Sequence, residues 1–157
     1  EINFMQFEIS IKQADDSDRL TILDWRNDEL TREMSLSSDL VSINDHNQWF
    51  KNASNSKNSL LLMCSRNPNT KIAFVHFKLN MTDAYVSINL NPDERGKGLS
   101  REVLKQAIEY LLFHHSQCKR LIAKIKDVNI PSIKIFISLG FKKYDCFDNV
   151  SFFEKKI

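Results

Sequence analysis

The stretch from Ser87 to Ser100, Ser-Ile-Asn-Leu-Asn-Pro-Asp-Glu-Arg-Gly-Lys-Gly-Leu-Ser, constrains this chain more than any other. Where it begins, Ala84, Val86, Ile88 and Leu90 alternate with Tyr85, Ser87 and Asn89, the period of a strand. After it, Val103, Leu104, Ala107, Ile108, Leu111 and Leu112 recur at helical spacing as far as about His114. The segment therefore reads strand, turn, helix N-terminus. At such a junction several backbone N–H groups lack partners within the helix, and the helix dipole favours an anion. Gly96 and Gly98 let the backbone curl against a phosphate with no Cβ in the way. Arg95 and Lys97 can add charge-assisted hydrogen bonds. A surface turn with a helix cap is the bland alternative, and the strand, the basic pair and the long amphipathic helix weigh against it.

Two other glycine-rich loops are excluded by spacing. A Walker A loop needs GxxxxGK followed by Ser or Thr, which is absent. The dinucleotide fingerprint GxGxxG would place glycine where Arg101 stands. A net charge of only +2, with no basic stripe, argues against nucleic-acid binding. The cysteines, Cys64, Cys118 and Cys146, are scattered without CxxC spacing, so reduced thiols are expected rather than a disulfide frame or a zinc site, and no metal is assigned. No apolar run approaches the ~20 residues that cross a bilayer, and no signal peptide is read at the start. The expectation is a cytoplasmic protein without membrane partners, with residues 1–157 forming one domain. The chain opens on Glu1, so the sequence is compatible with an excised piece, and Met5 is a candidate native start.

Period-two alternation at Phe7, Ile9 and Ile11 predicts a first strand. Asp15 to Asp18 offer caps for a helix carrying Leu20, Leu23 and Trp25. Residues 35–42 read as loop, and Asn44-Asp45 are expected to cap a short helix bearing His46, Trp49 and Phe50. Three strands follow, Leu60–Cys64, Ile72–Leu79 and Ala84–Leu90, with turns at Asn67-Pro68-Asn69 and Met81-Thr82-Asp83. Beyond the long helix come a strand Leu121–Ile125 and a helix Ile130–Leu139, with Pro131 in its first turn and Gly140 as its stop. A final hairpin, Phe141–Phe147 and Val150–Phe153, turns through Asp148-Asn149. The order predicts an α/β (α+β) fold: one twisted mixed β-sheet flanked by helices on both faces.

The loop Arg95-Gly96-Lys97-Gly98-Leu99-Ser100 resembles the Arg/Gln-x-x-Gly-x-Gly/Ala pattern of the GNAT superfamily of N-acetyltransferases, with Ser100 in the last small position. Asn129, Ser132, Gly140 and Phe141 are similar to that superfamily's Asn-x-x-Ala/Ser run ending in Gly-Phe. The resemblance implies acetyl-CoA as co-substrate, bound where two neighbouring parallel strands, Ala84–Leu90 and Leu121–Ile125, splay apart. It makes Ile88, Leu90, Arg95, Gly96, Lys97, Gly98, Leu99, Ser100, Asn129, Ser132 and Phe136 the expected cofactor-binding residues. Many members carry a tyrosine at the position of Phe136 as general acid toward the leaving thiolate. A phenyl ring donates no proton, so this chain must use water or another group, and simple packing is the alternative role for Phe136.

A direct transfer needs a neutral amine and a donor for the developing oxyanion, which a backbone N–H near Leu90 would supply. His46 is the candidate base, weighed against an exposed helix histidine. His114 and His115 sit at a helix C-terminus and complement its dipole; His76 is assigned a structural role. Tyr85 and Ser87 are candidates to line the cleft and order a water. A route through a cysteine is set below buried packing. Trp25-Arg26-Asn27, Arg32 and His46-x-x-Trp49-Phe50 resemble the amino-terminal half of GNAT enzymes acting on ribosomal-protein amino termini or on UDP-linked 4-amino sugars, nearest those of pseudaminic acid biosynthesis. Arg26 and Arg32 would hold a diphosphate and Trp25 or Trp49 would stack on uracil or sugar; ion pairing and core anchoring are the alternatives. The expected acceptor is a nucleotide-linked amino sugar. A protein amino terminus and a non-catalytic acyl-CoA-binding module stay open, as does a homodimer.

Overall fold

The computed structural model describes residues 8–66 and 69–157. Its elements in chain order are β1 (Ile9–Gln13), α1 (Arg19–Asn27), α2 (Glu29–Met34), α3 (Ile43–Ser54), β2 (Ser59–Arg66), β3 (Thr70–Asn80), β4 (Asp83–Leu90), α4 (Ser100–His114), β5 (Arg120–Lys126), α5 (Ile130–Ser138), β6 (Lys142–Phe147) and β7 (Val150–Lys156). The strands form one sheet in the order β1-β2-β3-β4-β5-β7-β6, antiparallel throughout except for the β4–β5 pair. Helices cover both faces, as the element order predicted. The unbroken apolar run Leu60–Cys64 follows from that sandwiching, because a central strand covered on both sides has no polar face. Leu60, Leu62 and Cys64 join Val103, Leu104, Ala107 and Leu111 of α4 in the larger core. Leu61 and Met63 point the other way, into a smaller core with Ile22 and Trp25 of α1 and Phe50 and Ala53 of α3.

Several boundaries move for local reasons. Phe7, Asn67 and Pro68 lie outside the described residues, so the start of the first strand and most of the first turn are not addressed. Ser42, not Asn44-Asp45, caps α3, its hydroxyl accepting from the Asp45 amide at 3.1 Å. Helix α2 was not anticipated. Its cap is Asp28, whose carboxylate accepts from the Thr31 amide at 3.1 Å, but its six residues bury no side chain and leave no apolar stripe to read. The Asp148-Asn149 turn forms as expected, with φ of 52° and 61°.

The C-terminal end of α5 explains the Gly-Phe pair. Gly140 takes φ 92°, its N–H reaches the Ile137 carbonyl at 3.0 Å, and the Phe141 N–H reaches the Phe136 carbonyl at 3.1 Å. This is the Schellman arrangement, which favours an apolar contact between the residues standing as Phe141 and Phe136 here. Those two rings meet edge to face, with centroids 5.0 Å apart and an interplanar angle of 88°.

Among the described residues no helix is long and apolar enough to cross a membrane.

Candidate active site

Strands β4 and β5 pair over only three residues, Asp83 with Arg120, Ala84 with Leu121 and Tyr85 with Ile122. Beyond them β4 stays in register with β3 to Leu90, and β5 with β7 to Lys126. The two halves of the sheet therefore diverge into a cleft. Its closed end is fastened by Arg120, which donates to both carboxylate oxygens of Asp83, at 3.1 and 2.8 Å, and to Glu154 at 3.1 Å. The guanidinium holds the Asp83 carboxyl below the usual carboxylate range.

One wall of the cleft offers backbone donors. The Asn91 N–H donates to the Ile72 carbonyl at 2.8 Å. In an antiparallel ladder hydrogen-bonded and non-bonded pairs alternate, so the Leu90 and Ile88 amides turn away from β3, toward the cleft. The Leu90 amide, the candidate oxyanion donor, is one of these two.

At the open end the chain makes the strand-to-helix bend. Gly96 and Gly98 both adopt positive φ, +73° and +70°, and a Cβ built on either would meet nothing within 4 Å. Leu99, the N-cap of α4, is buried and makes no side-chain cap bond. Among the described residues no group accepts from the amides of Gly98, Leu99, Ser100, Arg101 or Glu102, and the first helical bond runs from Val103 to Leu99 at 3.0 Å. Five consecutive N–H groups thus lack an acceptor at the positive end of a 15-residue helix.

The basic side chains of the loop are otherwise engaged. Arg95 was expected to face a phosphate; its Nη2 instead donates to the Asp28 carboxylate and to Thr31 Oγ1 at α2. Lys97 was given the same duty, and its Nζ donates to Glu94 at 3.1 Å, beside Arg66 on the same carboxylate. A distant carboxylate at the start of α2 redirects Arg95, and one three residues away in the same bend redirects Lys97. Asn129 caps α5, accepting from the Ser132 amide at 3.4 Å where β5 ends. Phe136 is 2 % exposed and belongs to the core, so its expected place against the cofactor is corrected: it fills the Schellman contact with Phe141.

On the acceptor side, His46 is corrected most. It is 3 % exposed and its Nε2 sits 2.7 Å from the Arg19 carbonyl. That partner requires the proton to stay on Nε2, and burial lowers the pKa of the ring. A structural histidine joining α3 to α1 is the result. Arg26 donates to the Ser37 carbonyl at 2.9 Å, and Arg32 to the Asn27 and Ser38 carbonyls at 3.2 and 3.3 Å. Asn27 exchanges two hydrogen bonds with Val41, at 2.9 and 2.8 Å. These three residues brace the loop 35–41, which their spacing alone does not reveal. Trp25 is buried in the smaller core. Trp49 is partly exposed and meets Phe74 and His76 edge to face, 6.4 and 5.7 Å between centroids. Tyr85 and Ser87 lie opposite Lys78 and His76, hence on the face of the sheet that carries α1 and α3. The Cys64 thiol is buried and pushed up to about 12, which removes it as a nucleophile.

Burial, with Lys78 nearby, pushes His76 down to about 4 from its ordinary 6.5. A histidine with a depressed folded-state pKa favours the folded chain while neutral. That contribution is complete above about 6.5 and is lost as pH falls toward 4. Thermal unfolding followed by circular dichroism should show a midpoint falling across this window. His76→Gln should shrink the fall; an unchanged pH profile in that variant would remove His76 as its source.

The chain matches the family model described as the acetyltransferase (GNAT) domain over residues 9–142. An uncharacterised protein of Methanocaldococcus jannaschii is 27 % identical over 139 residues, 87 % of this chain but 28 % of that protein, so this chain spans little more than a quarter of that relative. A crystal structure of a domain from the same organism superposes with a TM-score of 0.83 at 24 % identity, covering 97 % of this chain and 100 % of that one. Spermidine N-acetyltransferase from Vibrio cholerae, in complex with CoA and spermine, superposes at 0.84 with 14 % identity, covering 94 % and 95 %. An N-acetyltransferase from Staphylococcus aureus Mu50 gives 0.77 at 20 % identity, covering 95 % and 98 %. At such identities the structures speak to the fold, which they share. The family match over most of the chain identifies it as a member of the GNAT acetyltransferase-domain family.

Proposed function

We propose that the bend Arg95–Ser100 holds the pyrophosphate of acetyl-CoA and that the β4–β5 cleft receives its acyl arm, for delivery to the 4-amino group of a UDP-linked amino sugar. The observation that carries the cofactor assignment is the run of five unpartnered amides at Gly98–Glu102, beside two glycines where even a Cβ would meet nothing within 4 Å. This donor set suits a diphosphate, which offers many acceptors and little need for a side-chain cation. Acetyl-CoA supplies the activated acetyl thioester. The Leu90 amide, with Ile88 beside it, donates to the oxygen on which charge develops. Ser87, exposed on β4, and Tyr85 on the same face order the water that takes the amine's proton. A thiol of pKa ~8.5 leaves acceptably near neutrality, so the reaction proceeds without a tyrosine at Phe136.

Arg26 and Arg32 support an anionic acceptor. They hold the loop 35–41 through carbonyl oxygens, and among the described residues neither has a carboxylate within ion-pair distance. A second reading has its own observation: Asp24, Asp28 and Asp93 line a cavity of about 320 Å³ between α1 and the residues that follow β4, which suits a cationic amine such as a polyamine or a peptide amino terminus.

Mass spectrometry of products from a panel of UDP-4-amino sugars, free amino sugars, polyamines and amino-terminal peptides tests the assignment. Acetylation of the UDP-sugar at least tenfold faster than the rest is expected. A preference for polyamine or peptide would replace this acceptor with the cationic one.

A further inference from the structure

Helix α2 is fastened across the open end of the cleft by two cations from opposite walls. At its N-terminus Arg95, next to the phosphate-loop glycines, donates to Asp28 and Thr31. At its C-terminus the Nζ of Lys126, the last residue of β5, donates to the Glu33 carbonyl at 3.0 Å. Between these ties α2 buries no side chain. A helix of six residues is unstable on its own, so its position depends on how firmly its ends are held.

The Lys126 tie rests on a strand paired along its whole length with β7, and is firm. The Arg95 tie rests on a bend with two residues at positive φ and a run of unpartnered amides, and is as firm as that bend. An anion bound at the bend would give those amides their acceptors and remove its freedom. Arg95 is the adjoining residue, and Asp28 accepts from it while also capping α2. Only Nη2 of Arg95 is engaged, which leaves Nε and Nη1 able to serve a phosphate at the same time.

We infer that Asp28 is a positioning residue: through its ion pair with Arg95 it transmits occupancy of the phosphate loop to α2, the helix closing the acceptor side. The inference rests on the cofactor site proposed above. It makes cofactor and acceptor binding mutually reinforcing, because coupling between two sites is reciprocal.

Hydrogen exchange read by mass spectrometry, on the full chain with and without saturating CoA, tests it beside calorimetry of CoA binding. In the unsubstituted chain CoA should slow exchange of residues 29–34 by about fivefold or more, in keeping with typical coupling between sites. Asp28→Asn keeps a good N-cap but loses the charge that pairs with Arg95. It should bind CoA within about threefold of the parent while losing most of the slowing at 29–34. A merely structural aspartate would raise exchange equally with and without CoA, leaving the CoA-dependent difference intact; that result overturns the inference. So does CoA that binds and protects 98–102 but not 29–34 in the parent chain, with the cofactor site left standing. Failure of the parent chain to bind CoA removes both.

Discussion

Gly98→Asp is expected to weaken CoA binding by about two orders of magnitude or more while leaving a folded chain. Aspartate tolerates the left-handed region better than most residues, and its Cβ would meet nothing within 4 Å at φ +70°, so the substitution has room. Its carboxylate would stand among amides that otherwise face an anion. Like charges brought together at a binding site cost several kcal/mol, and each 1.4 kcal/mol is tenfold in affinity. Gly98→Ala separates charge from backbone strain, because alanine at positive φ costs about 1–2 kcal/mol and adds no charge. Calorimetry on the two variants should rank aspartate well below alanine. Equal affinity in the parent chain and Gly98→Asp would remove the pyrophosphate from this bend.

The largest effect on stability is expected at Phe141→Ala. Phe141 is 2 % exposed, in the same core as α4 and β5, and its ring closes the Schellman contact with Phe136. Truncating a buried phenylalanine costs about 3–5 kcal/mol through lost transfer energy and the cavity left behind. For a domain of this size that lowers the thermal midpoint by roughly 10 °C. Phe141→Leu retains most of the apolar volume and should cost less than half as much by calorimetric melting. If alanine is tolerated within 1 °C, the end of α5 is held by its backbone bonds alone and the pairing of the two rings is incidental.

Residues close together in sequence explain which parts of the site could be read in advance. The bend at Arg95–Ser100 is built from its own backbone: two glycines, a strand before and an amphipathic helix after, all within a few residues. The stop at Gly140 and the turn at Asp148-Asn149 are local in the same sense, and both formed where expected. The cleft was expected from the resemblance, and the three-residue pairing of β4 with β5 is its cause.

Side chains that choose partners across the fold could not be read this way. Arg95 lies 67 positions from Asp28, Lys126 lies 93 from Glu33, and His46 lies 27 from Arg19. Arg95 and His46 suited the roles first assigned to them, because an arginine beside glycines can meet phosphate and a histidine near tryptophan can take a proton; Lys126 carried no such signal. Which polar partner such a group finds depends on which elements pack together, and a buried hydrogen-bonding group takes the partner the packing provides. Phe136 shows the same limit from the apolar side: its ring pairs with Phe141 because Gly140 turns the chain back over it. The sequence by itself thus determined the alternating and helical periods, the sheet flanked by helices and the glycine bend between strand and helix, since these follow from backbone geometry over a few residues. The tertiary structure alone decided that His46 braces two helices, that Arg26 and Arg32 hold the loop 35–41, and that Arg95 joins the bend to α2, since long side chains settle on groups brought near only when the layers close.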